Sequence, residues 1–371
     1  MLRFLTAGES HGPSLTGILE GMPAGLQVDT QLIDADLVRR QGGYGRSGRQ
    51  KIEKDHVDWL SGMENGCSTG APIAMRIENR DYANQQKRER PVLTVPRPGH
   101  ADLAGATKYR LADMRTVLER ASARETAMRV AVGAVAKRLL AEFGIVVAGQ
   151  VISIGDEMVG GADLEDASVR ERIEASEVRV ADPDAERRFI EHIDQARRDR
   201  DTLGGVFEVQ VLGVPVGLGS YVHWDRKLDG RLAQAVMSIQ AIKGVEIGAG
   251  FENARTPGTK AHDAILPGAS GPQRASNRAG GLEGGVTNGE SVIVRGAMKP
   301  ISTTLTPMQS IDVRTGEGAL ASYQRSDICA VPAACVVGEA MVAFVMADAF
   351  LEKFGGDSIA EIHHHYRSAA Q

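Results

Sequence analysis
Three short runs of β-branched and apolar residues punctuate the chain: "APIAMRIEN" (71–79), "GVFEVQVLGV" (205–214) and "ESVIVRGAMK" (290–299). Each reads as a strand, and the last follows Asn288-Gly289, a turn signal suited to a hairpin. Strands reached through tight turns favour antiparallel pairing. Two longer stretches have a helical pattern. From Ser122 to Phe143, Ser122 and Glu125 form an S-x-x-E capping box and Gly144 follows the end. The stretch 332–355 has Pro332 in its first turn, Gly355 at its stop, and apolar residues nearly all round, the mark of a buried helix. Helices of about 22 residues would each span about 33 Å, enough to cross a domain. Residues 156–202 differ: they are dense in charge, with Phe189, Ile190 and Ile193 on one apolar stripe, and read as a solvated, peripheral helical module.

Composition narrows the function. With 371 residues the chain can bury a sizeable core. Its 43 Lys+Arg against 48 Asp+Glu leave a net charge of −5, so no global field draws it to nucleic acid or an anionic membrane. No uninterrupted apolar run approaches the roughly 20 residues of a membrane span, and "MLRFLTAGESHG" is too short and polar for a signal peptide, so a soluble, cytoplasmic protein is expected. Cys67, Cys329 and Cys335 contain no C-x-x-C pair and read as small buried hydrophobes. No metal site is expected.

The chemistry lies in glycine-rich segments. "RRQGGYGRSGRQK" (39–51) holds five cations and no acid, a local device for an anion. His11 in "GESHGP" and His100 in "RPGHADLAG" stand on glycine-flanked loops, where a general acid/base role and plain capping of backbone are both open. Arg120, Arg124 and Arg129 recur in "ERASARETAMR", and Arg325 stands near Asp327. Arginine suits bidentate binding of phosphate and carboxylate, and the capped start at Ser122 offers free backbone N–H groups. "MKPIST" adds Lys299 and hydroxyls. There is neither a P-loop nor a dinucleotide fingerprint, and aromatic residues are only 4%, too few for a single-strand stacking platform. The residues alone reach a metal-free enzyme for small polyanions, and stop short of its reaction.

"GESHGPSLTGILEGMPAG" (8–25), "ERASARETAMRVAVGAV" (119–135) and "RSDICAVPAACVVGEAM" (325–341) resemble the three signature regions of the chorismate synthase family, and the likeness runs along essentially the whole chain, 1–371. The resemblance implies an α+β fold, a β-α-β sandwich with long central helices between antiparallel sheets, assembled as a homotetramer. It implies 1,4-anti elimination of phosphate from 5-enolpyruvylshikimate 3-phosphate to give chorismate, with reduced FMN and no net redox change. His11 would then act at the leaving phosphate, His100 at the reduced flavin, and Asp327 in removal of the ring proton. Ser10, Arg40, Arg46, Arg49, Arg124 and Arg325 would hold substrate anions, Arg40, Arg46 and Arg49 on a cationic loop that closes over the substrate, and over NADPH where the flavin is reduced on the same chain. Flavin contacts would come from Arg120, Ala121, Ser122, Gln240, Ala241, Gly284, Lys299, Pro300, Ile301, Ser302, Thr303 and Arg325, with Arg40 and Arg46 shared. Whether NADPH on this chain or a separate flavin reductase supplies the reduced flavin stays open. So do two other classes: a non-catalytic flavin- or anion-binding protein, and a nucleic-acid binder using the basic stretch.

Overall fold
The structure is a computed structural model that describes residues 1–47, 53–87, 90–268, 271–321 and 326–369. At its centre helix Thr126–Ala141 packs along helix Val331–Phe354. Small residues let them close: a Cβ on Gly133 would stand 2.4 Å from the Cβ of Ala340, so only glycine permits this approach. The 331–354 helix matches its sequence reading in both ends and in its all-round burial. It is apolar and long enough to cross a membrane by composition, yet 89% of its most apolar window is buried inside the protein.

Two antiparallel sheets enclose the helices. One has the order Arg3–Gly8, Ser14–Glu20, Ile73–Glu78, Asp58–Ser61. The other runs Ile242–Ile247, Val292–Met298, Gly205–Leu212, Val146–Ile154, Glu157–Met158. Leu15, Leu19, Ile73, Met75 and Ile77 face the helices from the first sheet, and Val151, Phe207, Val209, Val292 and Val294 from the second, all in one hydrophobic core. Phe207 illustrates the fit: its ring occupies the space that a side chain on Gly338 would need, with 2.4 Å to the site of that Cβ. The observed architecture is the expected β-α-β sandwich.

Local details depart from the sequence reading. Ser122 does cap, accepting from Arg124 N at 3.2 Å, but it ends helix Arg115–Ala121 and starts a 3₁₀ turn, Ala123–Glu125, ahead of the long helix. Glu125 does not reach back to it. Buried under the first strand, its carboxylate accepts from Thr6 Oγ1 (2.6 Å) and Arg129 Nε (2.9 Å), the latter a charged partner that a backbone amide cannot match. Nor does Asn288-Gly289 join a hairpin: strand Val292–Met298 pairs with Gly205–Leu212 and Ile242–Ile247, while Val286–Thr287 folds back on Leu282–Glu283. Within 156–202, helix Pro183–Arg198 buries Ala185, Phe189, Ile193 and Ala196 in the main core, a wider stripe than its charge suggests. Cys329 and Cys335 are buried, their thiols pushed up to about 12 by burial, whereas Cys67 is only half-buried.

One buried charge ties these layers together. Glu339, fully buried on the central helix, accepts from Arg39 (2.8 and 2.9 Å), Arg179 (2.9 Å) and Lys137 (2.5 Å). Burial alone would raise its carboxyl, but the three cations outweigh that and hold it well below the usual carboxylate range. Arg39 therefore belongs to the core and not to an anion-binding loop.

Candidate active site
The cationic stretch divides at Gly42. Asp29 caps helix Thr30–Gln41, Ile33 and Leu37 bury its inner face, and Arg39 and Arg40 fall in its last turn, where cations suit the helix dipole. Arg40 is thus held by a helix rather than carried on a closing loop, which corrects the sequence reading. It lines a cavity of about 830 Å³ together with Arg46 and Arg124. Arg40 and Arg124 share one carboxylate, Asp55, at 2.9 Å and 2.7 Å. Burial pulls Arg40 down to about 10, with Arg124 and Arg46 pushing the same way and Asp55 opposing them. Arg46 pairs with Asp327 at 2.7 Å, and the same carboxylate accepts from Ser47 N at 2.6 Å. Arg40 Nε and Arg46 Nε are buried without a hydrogen-bond partner among the described residues. Three cations crowded about two carboxylates, with donors left over, make a site for an anion.

Both loop histidines reach the same cavity. His11 follows the first strand, in a turn pinned by Asn79 Nδ2, which donates to Glu9 O (3.1 Å) and Gly12 O (2.8 Å). Its Nδ1 lies 2.9 Å from Glu119 Oε1 and its backbone N–H donates to Glu119 Oε2 at 2.7 Å. Burial would raise Glu119, but these bonds outweigh it and hold the carboxyl below its ordinary value. His100 stands two residues before helix Asp102–Tyr109, with Nδ1 at 2.5 Å from Asp102 Oδ1. Arg97 Nε also donates to Asp102, at 2.8 Å, and Arg97 Nη1 to Thr303 Oγ1 at 3.3 Å. Asp102, too, is held well below the usual range, since His100 and Arg97 outweigh the upward effect of burial. At His11 the acceptor facing Nδ1 favours the proton on that nitrogen, whereas His100 Nδ1 lies between Asp102 Oδ1 and a donor, Arg97 Nη2, at 2.9 Å.

The opposite wall is built from Gln240, Ala241, Lys299, Ile301, Ser302 and Thr303, with Ala121 and Ser122 nearby. Ala241 has a left-handed backbone (φ 67°), and its carbonyl accepts Lys299 N at 2.9 Å. Such a conformation costs a non-glycine residue roughly 1 kcal/mol or more and is characteristic of functional sites. Burial lowers the Lys299 amine, and Lys243 adds to it. Gly99 (φ 76°) passes close to this wall: a Cβ there would come 3.6 Å from Lys299 Nζ. Gln240 Nε2 donates to Glu125 at 3.1 Å, while its Oε1 is buried without a partner among the described residues.

Ser10, Ser122, Gln240 and the two histidines are therefore brought together with Arg40, Arg46, Arg124 and Asp327. Three expected residues are not on this wall. Arg120 donates to Thr6 O (2.9 Å) and is exposed, Pro300 is exposed between lining neighbours, and Gly284 lies in the turn after Leu282–Glu283, where an added Cβ would stand 3.8 Å from Tyr221. Arg49 and Arg325 lie outside the described residues. Sequence reasoning missed Glu119, Asp102, Asp55, Arg90, Arg97 and Arg115, of which Glu119, Arg90, Arg97 and Arg115 line the cavity while Asp102 and Asp55 hold residues that do. Arg97 and Asp102 flank His100 in "RPGHADLAG", so their spacing was a usable signal; Asp55 meets Arg124 only through the fold. Among the described residues no group of three or more His, Cys, Asp or Glu is arranged to hold a metal ion.

Residues 2–351 match the family model described as chorismate synthase. The chain is 56% identical over 375 residues to the chorismate synthase of Desulforamulus reducens, covering 98% of this chain and 96% of that one. It is 57% identical over 371 residues to that of Syntrophotalea carbinolica, covering 97% and 96%. A crystal structure of chorismate synthase superposes with a TM-score of 0.81 at 46% identity, covering 99% of this chain and 97% of that one.

Proposed function
The chain belongs to the chorismate synthase family, and from that membership we propose that it eliminates phosphate from 5-enolpyruvylshikimate 3-phosphate to give chorismate, with reduced FMN bound in the cavity. It is a lyase, and in finer terms a carbon–oxygen lyase acting on a phosphate ester. The observation that carries the reading is the meeting, in one cavity, of Arg40, Arg46 and Arg124 with two histidines each backed by a buried carboxylate. A pure binder of flavin or anions has no use for two such oriented histidines.

The substrate has one phosphate and two carboxylates, and buried guanidinium groups stabilise charge developing on a departing phosphate. Arg40, Arg46 and Arg124, with Ser10, hold these anions in our reading, and Arg40 Nε and Arg46 Nε are the buried donors that an anion would satisfy. Arg49 and Arg325 join them by family resemblance. His11, oriented by Glu119 through Nδ1, acts as the acid at the leaving phosphate through Nε2–H of its imidazolium, and Asp327, held by Arg46 and Ser47, assists removal of the ring proton. His100 holds a proton at the cofactor's side of the cavity, oriented by Asp102.

The remaining wall fits FMN. Gln240 Oε1 is a buried acceptor that needs a donor, Lys299 with Ser302 and Thr303 suits a phosphate, and Gly99 leaves room beside them. Reduced FMN, when bound, supplies an electron source that is restored by the end of each turnover. Family membership further supports a homotetramer, a cytoplasmic place of action, and reduction of the flavin by NADPH or by a separate reductase.

The test is anaerobic. Purified protein, chemically reduced FMN and 5-enolpyruvylshikimate 3-phosphate should release inorganic phosphate and develop the diene absorbance of chorismate in equal amounts, only when the flavin is reduced. Flavin binding without either product would overturn the catalytic reading.

A further inference from the structure
We propose that Tyr44 is a positioning residue for the anion site, acting through Arg46 from outside the cavity, with helix Pro183–Arg198 as its anchor. The inference rests on the reading of Arg46 as an anion-binding residue.

Arg46 enters the cavity at the end of a loop that contains Gly42, Gly43 and Gly45. Glycines give such a loop no stiffness of its own, so its course has to be imposed from outside. The restraints are supplied by the charged segment 156–202 and by the strand of chain before the central helix. Tyr44 N donates to Glu177 O at 2.8 Å, and Tyr44 Oη donates to Asp194 Oδ1 at 2.9 Å. Asp194 is held in turn by Arg197 at 2.6 Å, whose guanidinium lies 5.5 Å over the Tyr44 ring. Gly45, with φ 86°, passes so close to Ile193 and Cys329 that a Cβ would be 3.1 Å from each. Its carbonyl accepts Ile328 N at 2.8 Å, next to the Asp327 that pairs with Arg46. Tyr44 does not line the cavity; it is half-buried on the other side of the loop. The loop is thereby clamped between helix Pro183–Arg198 and Asp327, and Arg46 inherits its placement two residues from Tyr44.

Ordering a residue costs conformational entropy. If the phenol no longer holds the loop, part of that cost falls on substrate binding. Arg46 faces charge that develops on the leaving phosphate and pairs with Asp327, so the loss appears in kcat/KM.

The experiment is steady-state kinetics of the full-length protein with reduced FMN and 5-enolpyruvylshikimate 3-phosphate, for Tyr44→Phe, Asp194→Ala, Asp194→Asn and the double variant Tyr44→Phe/Asp194→Ala. Loss of one hydrogen bond should lower kcat/KM about 3- to 10-fold in Tyr44→Phe and in Asp194→Ala. Asn keeps an acceptor at position 194, so Asp194→Asn should stay close to wild type. The double variant should be no worse than the poorer single one, because both remove the same bond. An unmoved kcat/KM in Tyr44→Phe, or penalties that add in full, would overturn the proposal. If Tyr44→Phe folds poorly, Asp194→Ala alone carries the same comparison. A wild type that releases no phosphate would overturn the functional reading instead, so the two failures are separable.

Discussion
Glu119 meets His11 twice, accepting from its backbone N–H at 2.7 Å and from its Nδ1 at 2.9 Å. The first bond fixes the turn and the second fixes the ring, so one buried carboxylate sets both where the imidazole stands and which nitrogen carries its proton. Glu119→Gln can keep only one of these acceptors and offers an amide donor in place of the other. Partners of this kind typically contribute 10–100-fold, and kcat for phosphate release should fall by about that much. FMN affinity, read from quenching of flavin fluorescence, should change little. Equal losses in both would mean that Glu119 supports the fold and not the histidine.

Asp102 links His100 to Arg97 and, through Arg97, to Thr303. Its removal therefore reaches the cofactor wall as well as the histidine. Asp102→Asn should lower turnover about 10- to 100-fold and also weaken FMN binding measurably, the second effect separating it from Glu119→Gln. Flavin titration under anaerobic conditions makes the comparison. A variant that loses turnover while binding FMN like wild type would show that the Arg97–Thr303 arm carries no weight.

Asp55 is the shared counter-ion of Arg40 and Arg124, and its side chain is fully buried. Taking it away leaves two guanidinium groups facing each other in a poorly hydrated place. Breaking a buried pair in this manner costs about 3–5 kcal/mol, so Asp55→Ala should lose about that much in urea unfolding. Because an added anion can take the place of the lost carboxylate, inorganic phosphate should stabilise the variant more than the wild type. Equal stabilisation of both would argue that the cavity anion does not sit against Arg40 and Arg124.

Much of the fold was legible in the chain because its signals are local. The 331–354 helix announces itself through Pro332, Gly355 and an apolar surface on all sides, and the strands through short β-branched runs. The failures have a common physical origin. Ser122 signals a cap correctly, yet what Glu125 does is decided by Thr6 and Arg129, one of them far away in sequence. Arg39 and Arg40 are adjacent, and nothing in their spacing says that one turns to Glu339 in the core and the other to Asp55 in the cavity. Helix geometry, with about 100° between successive side chains, separates them. In the site, His11, His100, Arg46 and Ser122 were found from glycine loops and caps, whereas Glu119, the carboxylate that orients His11, becomes visible only when distant segments are brought together.

Acid should expose the core network through Glu174. This residue, on helix Ala167–Ala175, accepts from Arg39 (2.6 and 2.7 Å) and Arg179 (2.7 and 3.1 Å). Burial would raise its carboxyl, but the two guanidinium groups outweigh that and bring it from the usual 4.5 to about 2. The sign follows from linkage. A carboxyl whose value is depressed on folding binds protons more readily in the unfolded chain, so between about 4.5 and about 2 stability falls as pH falls. Its contribution is complete above that window and gone below it. Urea midpoints of wild type and Glu174→Gln, measured from neutral pH downward, should differ by a constant amount above pH 5 or so and converge as pH approaches 2. Glu339 is depressed in the same direction and is present in both proteins, so its own protonation lowers both curves. A gap that persists unchanged to the acid limit would mean that Glu174 stabilises the protein by packing and not by its charge.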